Sequence, residues 1–135
     1  MYPSSIGDSK IRIFKTKNFV RWAKKERLSD AALINTINEL EVGLIDANLG
    51  GGLIKKRVAR SGQGKRGGHR VILAFKDSDR SIFLFGFSKN DRENLDTEEK
   101  EMYIKIAKMY LGTHMSALEK MCVKGQLVEV HHEKK

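Results

Sequence analysis

The chain has 135 residues, 40% hydrophobic and 32% charged, and its 26 Lys+Arg against 17 Asp+Glu give a formal net charge of +9. That length suits one domain, 1–135, whose core needs neither metal nor disulfide, and that charge favours an anionic partner such as nucleic acid. The lone Cys122 excludes an internal disulfide and no apolar run reaches the roughly 18 residues of a membrane span, so a cytoplasmic protein without membrane contact is expected.

After a leader over about 1–9, expected to be mobile, Ile11 and Ile13 alternate in KIRIFK as in a short strand. Thr16 offers an N-cap to a helix with Phe19, Val20 and Ala23 on one side. Trp22 reads as a core anchor rather than a base-stacking platform. Ser29 offers a second cap, and Leu33, Ile37, Leu40 and Leu44 form the stripe of a second helix that Gly43 can stop. Two helices joined this closely predict an antiparallel hairpin lying on a sheet.

The run Gly50–Gly52 marks a turn into a basic strand, Leu53–Ala59, and two more strands follow at Val71–Phe75 and Ile82–Phe87. Alternation places Lys55 and Arg57 on one face of the basic strand, opposite Ile54 and Val58. In the last strand it places Phe83, Phe85 and Phe87 together, opposite Ile82 and Leu84, with both faces covered. Asp96 or Thr97 caps a helix bearing Met102, Ile106 and Met109. Gly112 breaks it before a segment bearing Met115, Leu118 and Met121. That methionine stripe is either core or an adaptable partner face. The sum is an α+β fold: a small, mostly antiparallel sheet made of a meander plus the N-terminal strand, packed on an N-terminal helical hairpin, with C-terminal helices.

Chemistry concentrates in Gly50–Arg70, which holds Lys55, Lys56, Arg57, Arg60, Lys65, Arg66 and Arg70 and no acidic residue. Gly62, Gly64 and Gly67 spell G-x-G-x-x-G, but the HRVILAF that follows is strand and supplies no helix N-terminus for a pyrophosphate. Arg66 stands where a P-loop needs Ser or Thr. Neighbouring His131 and His132 do not make a zinc site, and no metal or other cofactor is expected. What remains is cationic chemistry on phosphate.

The run IKKRVARSGQGKRGGHRVILAF, followed by an aromatic strand, FSKNDRENL and a helix, resembles the RelE/HigB-like toxins of type II toxin-antitoxin systems (the RelE/ParE superfamily). The resemblance covers Ile11 to Tyr110, leaving a C-terminal helical extension over about 112–135 outside it. It implies a ribosome-dependent mRNA endoribonuclease, or mRNA interferase, needing no metal, with Lys55, Arg57 and Arg70 as the catalytic cations. Lys56, Arg60, Lys65, Arg66, Lys89 and Arg92 are then expected on RNA backbone.

Its implied partners are the ribosome, mRNA and a cognate antitoxin with a helix-turn-helix DNA-binding domain. The chain departs from the family pattern at Asn90, where an arginine is usual, and at Leu95 or Asp96, where a tyrosine is usual. The proton carrier is therefore open among His69, Lys55, Asp91, Tyr103 and Tyr110. That gap keeps two alternatives: a non-enzymatic toxin of the same fold that poisons a protein such as a topoisomerase, and a non-toxic RNA-binding module.

Overall fold

Short apolar stretches and well-placed caps divide the chain into ten elements in the computed structural model, which describes residues 11–58, 68–92 and 94–132. The leader, Arg60, Lys65 and Arg66 lie outside the described residues. In order the elements are β1 (Arg12–Thr16), α1 (Lys17–Lys25), α2 (Asp30–Glu41), β2 (Ala47–Gly50), β3 (Leu53–Val58), β4 (His69–Lys76), β5 (Arg80–Ser88), α3 (Thr97–Gly112), α4 (Met115–Val123) and β6 (Leu127–Val130). The strands form one mixed sheet of order β2-β3-β4-β5-β1-β6, in which β1 runs parallel to β5 and every other pairing is antiparallel.

Three helix starts, those of α1, α2 and α3, have a side-chain reason, whereas α4 begins after His114 without a side-chain cap. The Phe19 amide donates to Thr16 Oγ1 and the Ala32 amide to Ser29 Oγ, both at 3.2 Å. Asp96, rather than Thr97, caps α3 in a reciprocal box with Glu99. At the end of α2, Gly43 takes φ +89 while its amide donates to Leu40 O and the Leu44 amide to Glu39 O. This Schellman turn ends the helix before Leu44, which is 54% exposed rather than part of the stripe.

The sheet is covered on both faces. Against one lie α1 and α2, burying Phe19, Ala23, Leu33, Ile37 and Leu40 on Ile13, Ile54, Val71, Leu73 and Phe83. Against the other lie α3 and α4, burying Ala107, Tyr110 and Leu118 on Phe14, Leu53, Ile72, Ala74 and Ile82. Full burial of each such large side chain is worth about 1.5–3 kcal/mol.

Strict alternation fails in β5. Ile72 pairs with Phe85 but Leu73 pairs with Phe83, so Leu84 is an extra residue. The bulge leaves Phe83 under the helical hairpin and turns Phe85 and Phe87 to the α3 face. Gly86 then faces Trp22, where a Cβ would stand 2.3 Å from the indole ring. Trp22 is the anchor expected, packed on Phe19 and edge-on to His69.

Three further expectations change. The glycines at 50–52 turn a hairpin whose first strand, β2, is only four residues long. At Gly52, φ is +87 and a Cβ would meet Leu111 Cδ1 at 2.2 Å, because α3 crosses directly over this turn. Met102 and Met109 are about half exposed, at 47% and 49%, and Tyr103, Ile106, Ala107 and Tyr110 make the packing face of α3 instead. Finally, the C-terminal segment is no appendage: β6 pairs along β1 from Ile13–Val130 to Thr16–Leu127, and Leu118 and Leu127 are fully buried. Arg80 fixes the break between α3 and α4 by donating from Nη1 to Tyr110 O at 2.9 Å and to Thr113 O.

Candidate active site

The register of β3 against β4 makes the site. Arg57 pairs with Arg70 and Lys55 with Ile72, and cross-strand partners share a face. Lys55, Arg57 and Arg70 therefore emerge together on the α3 side of the sheet. Because α3 crosses the Gly51–Gly52 end, with Ile104 and Leu111 against those glycines, it does not cover the Arg57 end of the hairpin. The result is a pocket of about 260 Å³ lined by Asp46, Ala47, Lys55, Arg57, Arg70 and Asn94.

Each cation is held differently. Lys55 Nζ donates to Asn94 Oδ1 at 2.6 Å. The Arg57 side chain is half exposed, and its Nε stands 3.8 Å from Asp46 Oδ1. Arg70 Nη1 is buried and has no hydrogen-bond acceptor among the described residues. Among the described residues three cations face one carboxylate here, and Arg70 Nη1 is a buried guanidinium nitrogen without a partner.

Arg92 organises the loop that brings Asn94 in. Its Nη1 and Nη2 grip both Glu99 carboxylate oxygens, its Nε donates to Asn94 O at 3.2 Å, and its guanidinium lies 5.5 Å over the Phe87 ring. The paired hydrogen bonds push Arg92 further toward its charged form and hold the Glu99 carboxyl below its usual range. Expected on RNA backbone, Arg92 is engaged within the protein. Lys89 is exposed at the start of the same loop.

Two candidates fall on the other side of the sheet. Alternation puts Lys56 under α2, 3% exposed, with Nζ 2.8 Å from Glu39 Oε1 and 3.9 Å from Asp46 Oδ2. It is an internal ion pair and not an RNA contact. His69, paired with Val58, is 1% exposed, with Nε2 3.0 Å from Glu26 Oε1. That is a packed histidine and not a proton carrier of the pocket.

Tyr103 is stacked on Phe85 and Tyr110 is buried, and burial raises both phenols above their usual range. Neither lines the pocket, nor does the exposed Asp91. Sequence reasoning missed Asp46 and Asn94. Asn94 stands inside the quoted FSKNDRENL, whereas Asp46 carries no motif and is placed only by the pairing of β2 with β3. Among the described residues no group of three or more His, Cys, Asp or Glu could hold a metal ion, and no helix is long and apolar enough to cross a membrane.

Fold and site together define a small basic α+β protein with three cations, Lys55, Arg57 and Arg70, gathered at one pocket of its sheet. The family model described as the RelE toxin of the RelE / RelB toxin-antitoxin system matches residues 11–130, and the chain belongs to that family. The match includes α4 and β6, in keeping with their place in the sheet. The chain is thus a toxin of a toxin-antitoxin system and pairs with an antitoxin.

Proposed function

We propose that this toxin is a cytoplasmic, ribosome-dependent mRNA endoribonuclease that works without a metal. The observation that carries the reading is the convergence of Lys55, Arg57 and Arg70 on one pocket, with Arg70 Nη1 lacking an acceptor among the described residues. A phosphodiester supplies the missing acceptors, through paired charge-assisted hydrogen bonds. In the reaction O2′ of a ribose attacks the adjacent phosphorus. The O2′–P bond forms and the P–O5′ bond breaks, leaving a 2′,3′-cyclic phosphate and a 5′-hydroxyl.

Lys55 and Arg57 neutralise and place the phosphate, and Arg70 meets the extra charge of the pentavalent phosphorane. One proton leaves O2′ and one is taken up at O5′. Lys55 is the pocket side chain able to give the second. Lys89, with Arg60, Lys65 and Arg66, supplies contacts to RNA backbone, and the antitoxin, a helix-turn-helix DNA-binding protein, silences the toxin by covering the pocket with acidic side chains.

The test is brief expression of Arg70→Ala beside the wild type, with growth followed and cellular messages mapped by primer extension. The wild type should stop growth and create new 5′ ends within translated frames, and the variant should do neither. Unchanged inhibition and cleavage by Arg70→Ala would remove it from the chemistry. DNA damage without new 5′ ends would identify a topoisomerase poison instead.

A further inference from the structure

Asp46 is the one carboxylate among the described residues lining the cation pocket. It lies just before β2, where the ladder of that edge strand against β3 stops at Ala47–Lys55. The Arg57 amide lies beyond that last rung, and it donates to Asp46 Oδ2 at 2.6 Å. A side-chain oxygen thus extends the ladder past the end of the strand.

The same carboxylate reaches the side chain of the residue it holds. Asp46 Oδ1 stands 3.8 Å from Arg57 Nε, and Asp46 Oδ2 stands 3.9 Å from Lys56 Nζ on the opposite face of β3. Asp46 therefore wraps the sheet edge, with 28% of its side chain exposed against 50% for Arg57. An arginine exposed to that degree changes rotamer in picoseconds to nanoseconds unless something restrains it. A carboxylate bonded to its backbone and beside its Nε narrows the choice and leaves both Nη groups, unbonded among the described residues, to phosphate oxygens.

Building on the phosphate chemistry proposed above, we propose that Asp46 is a positioning residue that holds the Arg57 guanidinium in the pocket before RNA arrives. It acts through Arg57 and does not itself touch the reacting atoms. Prior placement of a charged group spares the reaction that reorganisation.

The test uses the full chain on ribosomes programmed with message, in single turnover at saturating and limiting ribosome. Asp46→Ala should slow the saturated rate by about 10- to 100-fold and leave the half-saturating ribosome concentration within about twofold. Asp46→Asn, which keeps the amide acceptor but loses the charge, should fall between. The double variant Asp46→Ala/Arg57→Ala should be no slower than Arg57→Ala within about twofold, because one residue acts through the other.

A wild-type rate for Asp46→Ala overturns the proposal, as does a double variant slowed by the product of the two single effects. A second measurement does not depend on cleavage: exchange of the Arg57 Nε–H with water, followed by 15N NMR. It should be about fivefold or more faster in Asp46→Ala, and an unchanged rate also overturns the proposal. If the wild type cuts no message, the nuclease reading fails, and the Nε–H exchange still decides whether Asp46 restrains Arg57.

Discussion

Replacing Arg70 with methionine should make the toxin more stable and inactive at once. Arg57 and Arg70 are directly opposed across β3 and β4, a placement in which like charges cost up to about 1 kcal/mol. Arg70 Nη1 is in addition a buried donor with no acceptor among the described residues, a deficit of about 1–3 kcal/mol. Asp46, beside Arg57, offsets part of the repulsion. Methionine keeps an unbranched stem against Phe87, the partner of Arg70 on β5, without the charge.

The net expectation is a gain of about 1–2 kcal/mol in unfolding free energy, or about 3–8 °C in melting midpoint for a chain of this size. Message cleavage should fall by about 10²–10³-fold. The check is a pair of thermal melts at low and high salt. The repulsive part of the gain should shrink as salt screens it. A lower midpoint for Arg70→Met, or a gain indifferent to salt, would refute the idea that the site stores repulsion that RNA relieves.

Other consequences are as direct. Glu39→Gln leaves the buried Lys56 ammonium with Asp46, 3.9 Å away, as its remaining carboxylate among the described residues and should cost about 3 kcal/mol in urea unfolding, whereas Lys56→Met, which removes the buried charge itself, should stay within about 1 kcal/mol of wild type. Gly86→Val drives a side chain into the Trp22 ring and should lose about 2–4 kcal/mol by the same assay, part of it restored by Trp22→Leu.

Glu99 titrates below its usual range because Arg92 bonds its carboxylate, so its contribution is complete above the unfolded pKa and is lost as pH falls through the lowered folded value. Melting midpoints should therefore drop at acid pH more steeply in wild type than in Glu99→Gln. Equal slopes would show that the loop carrying Asn94 does not depend on this pair.

Strand period, read from the sequence, put Lys55 and Arg57 on one face and the family resemblance added Arg70; β3 and β4 then alternate without interruption, and their register, which opposes Arg57 to Arg70, gathers the three. The same period puts Lys56 with Ile54 and Val58, and the abundance of cations in that stretch masked it. What Lys56 meets there depends on Glu39, from a helix earlier in the chain. In β5 the bulge at Leu84 leaves no mark in SIFLFGFS, where apolar residues suit either face, so the sides of Phe85 and Phe87 were not legible. Asp46 was invisible for a different reason: a four-residue edge strand has too little pattern to be seen, and its end is defined by pairing alone.

The position of β1 has a kinetic consequence. It lies between β5 and β6, pairing Arg12 with Arg80 and Ile13 with Val130, so both its neighbours come from far along the chain. The cation-bearing strands β3 and β4, in contrast, are sequence neighbours joined by one connection. Long-range pairings meet a larger loop-closure entropy and form late. Pulse-labelled hydrogen exchange during refolding should find β3 and β4 amides protected before those of β1 and β6, and simultaneous protection would contradict this order. The hairpin that carries the site is then complete while the sheet is still open, which sets an interval in which a newly made toxin displays its cations before its fold has closed.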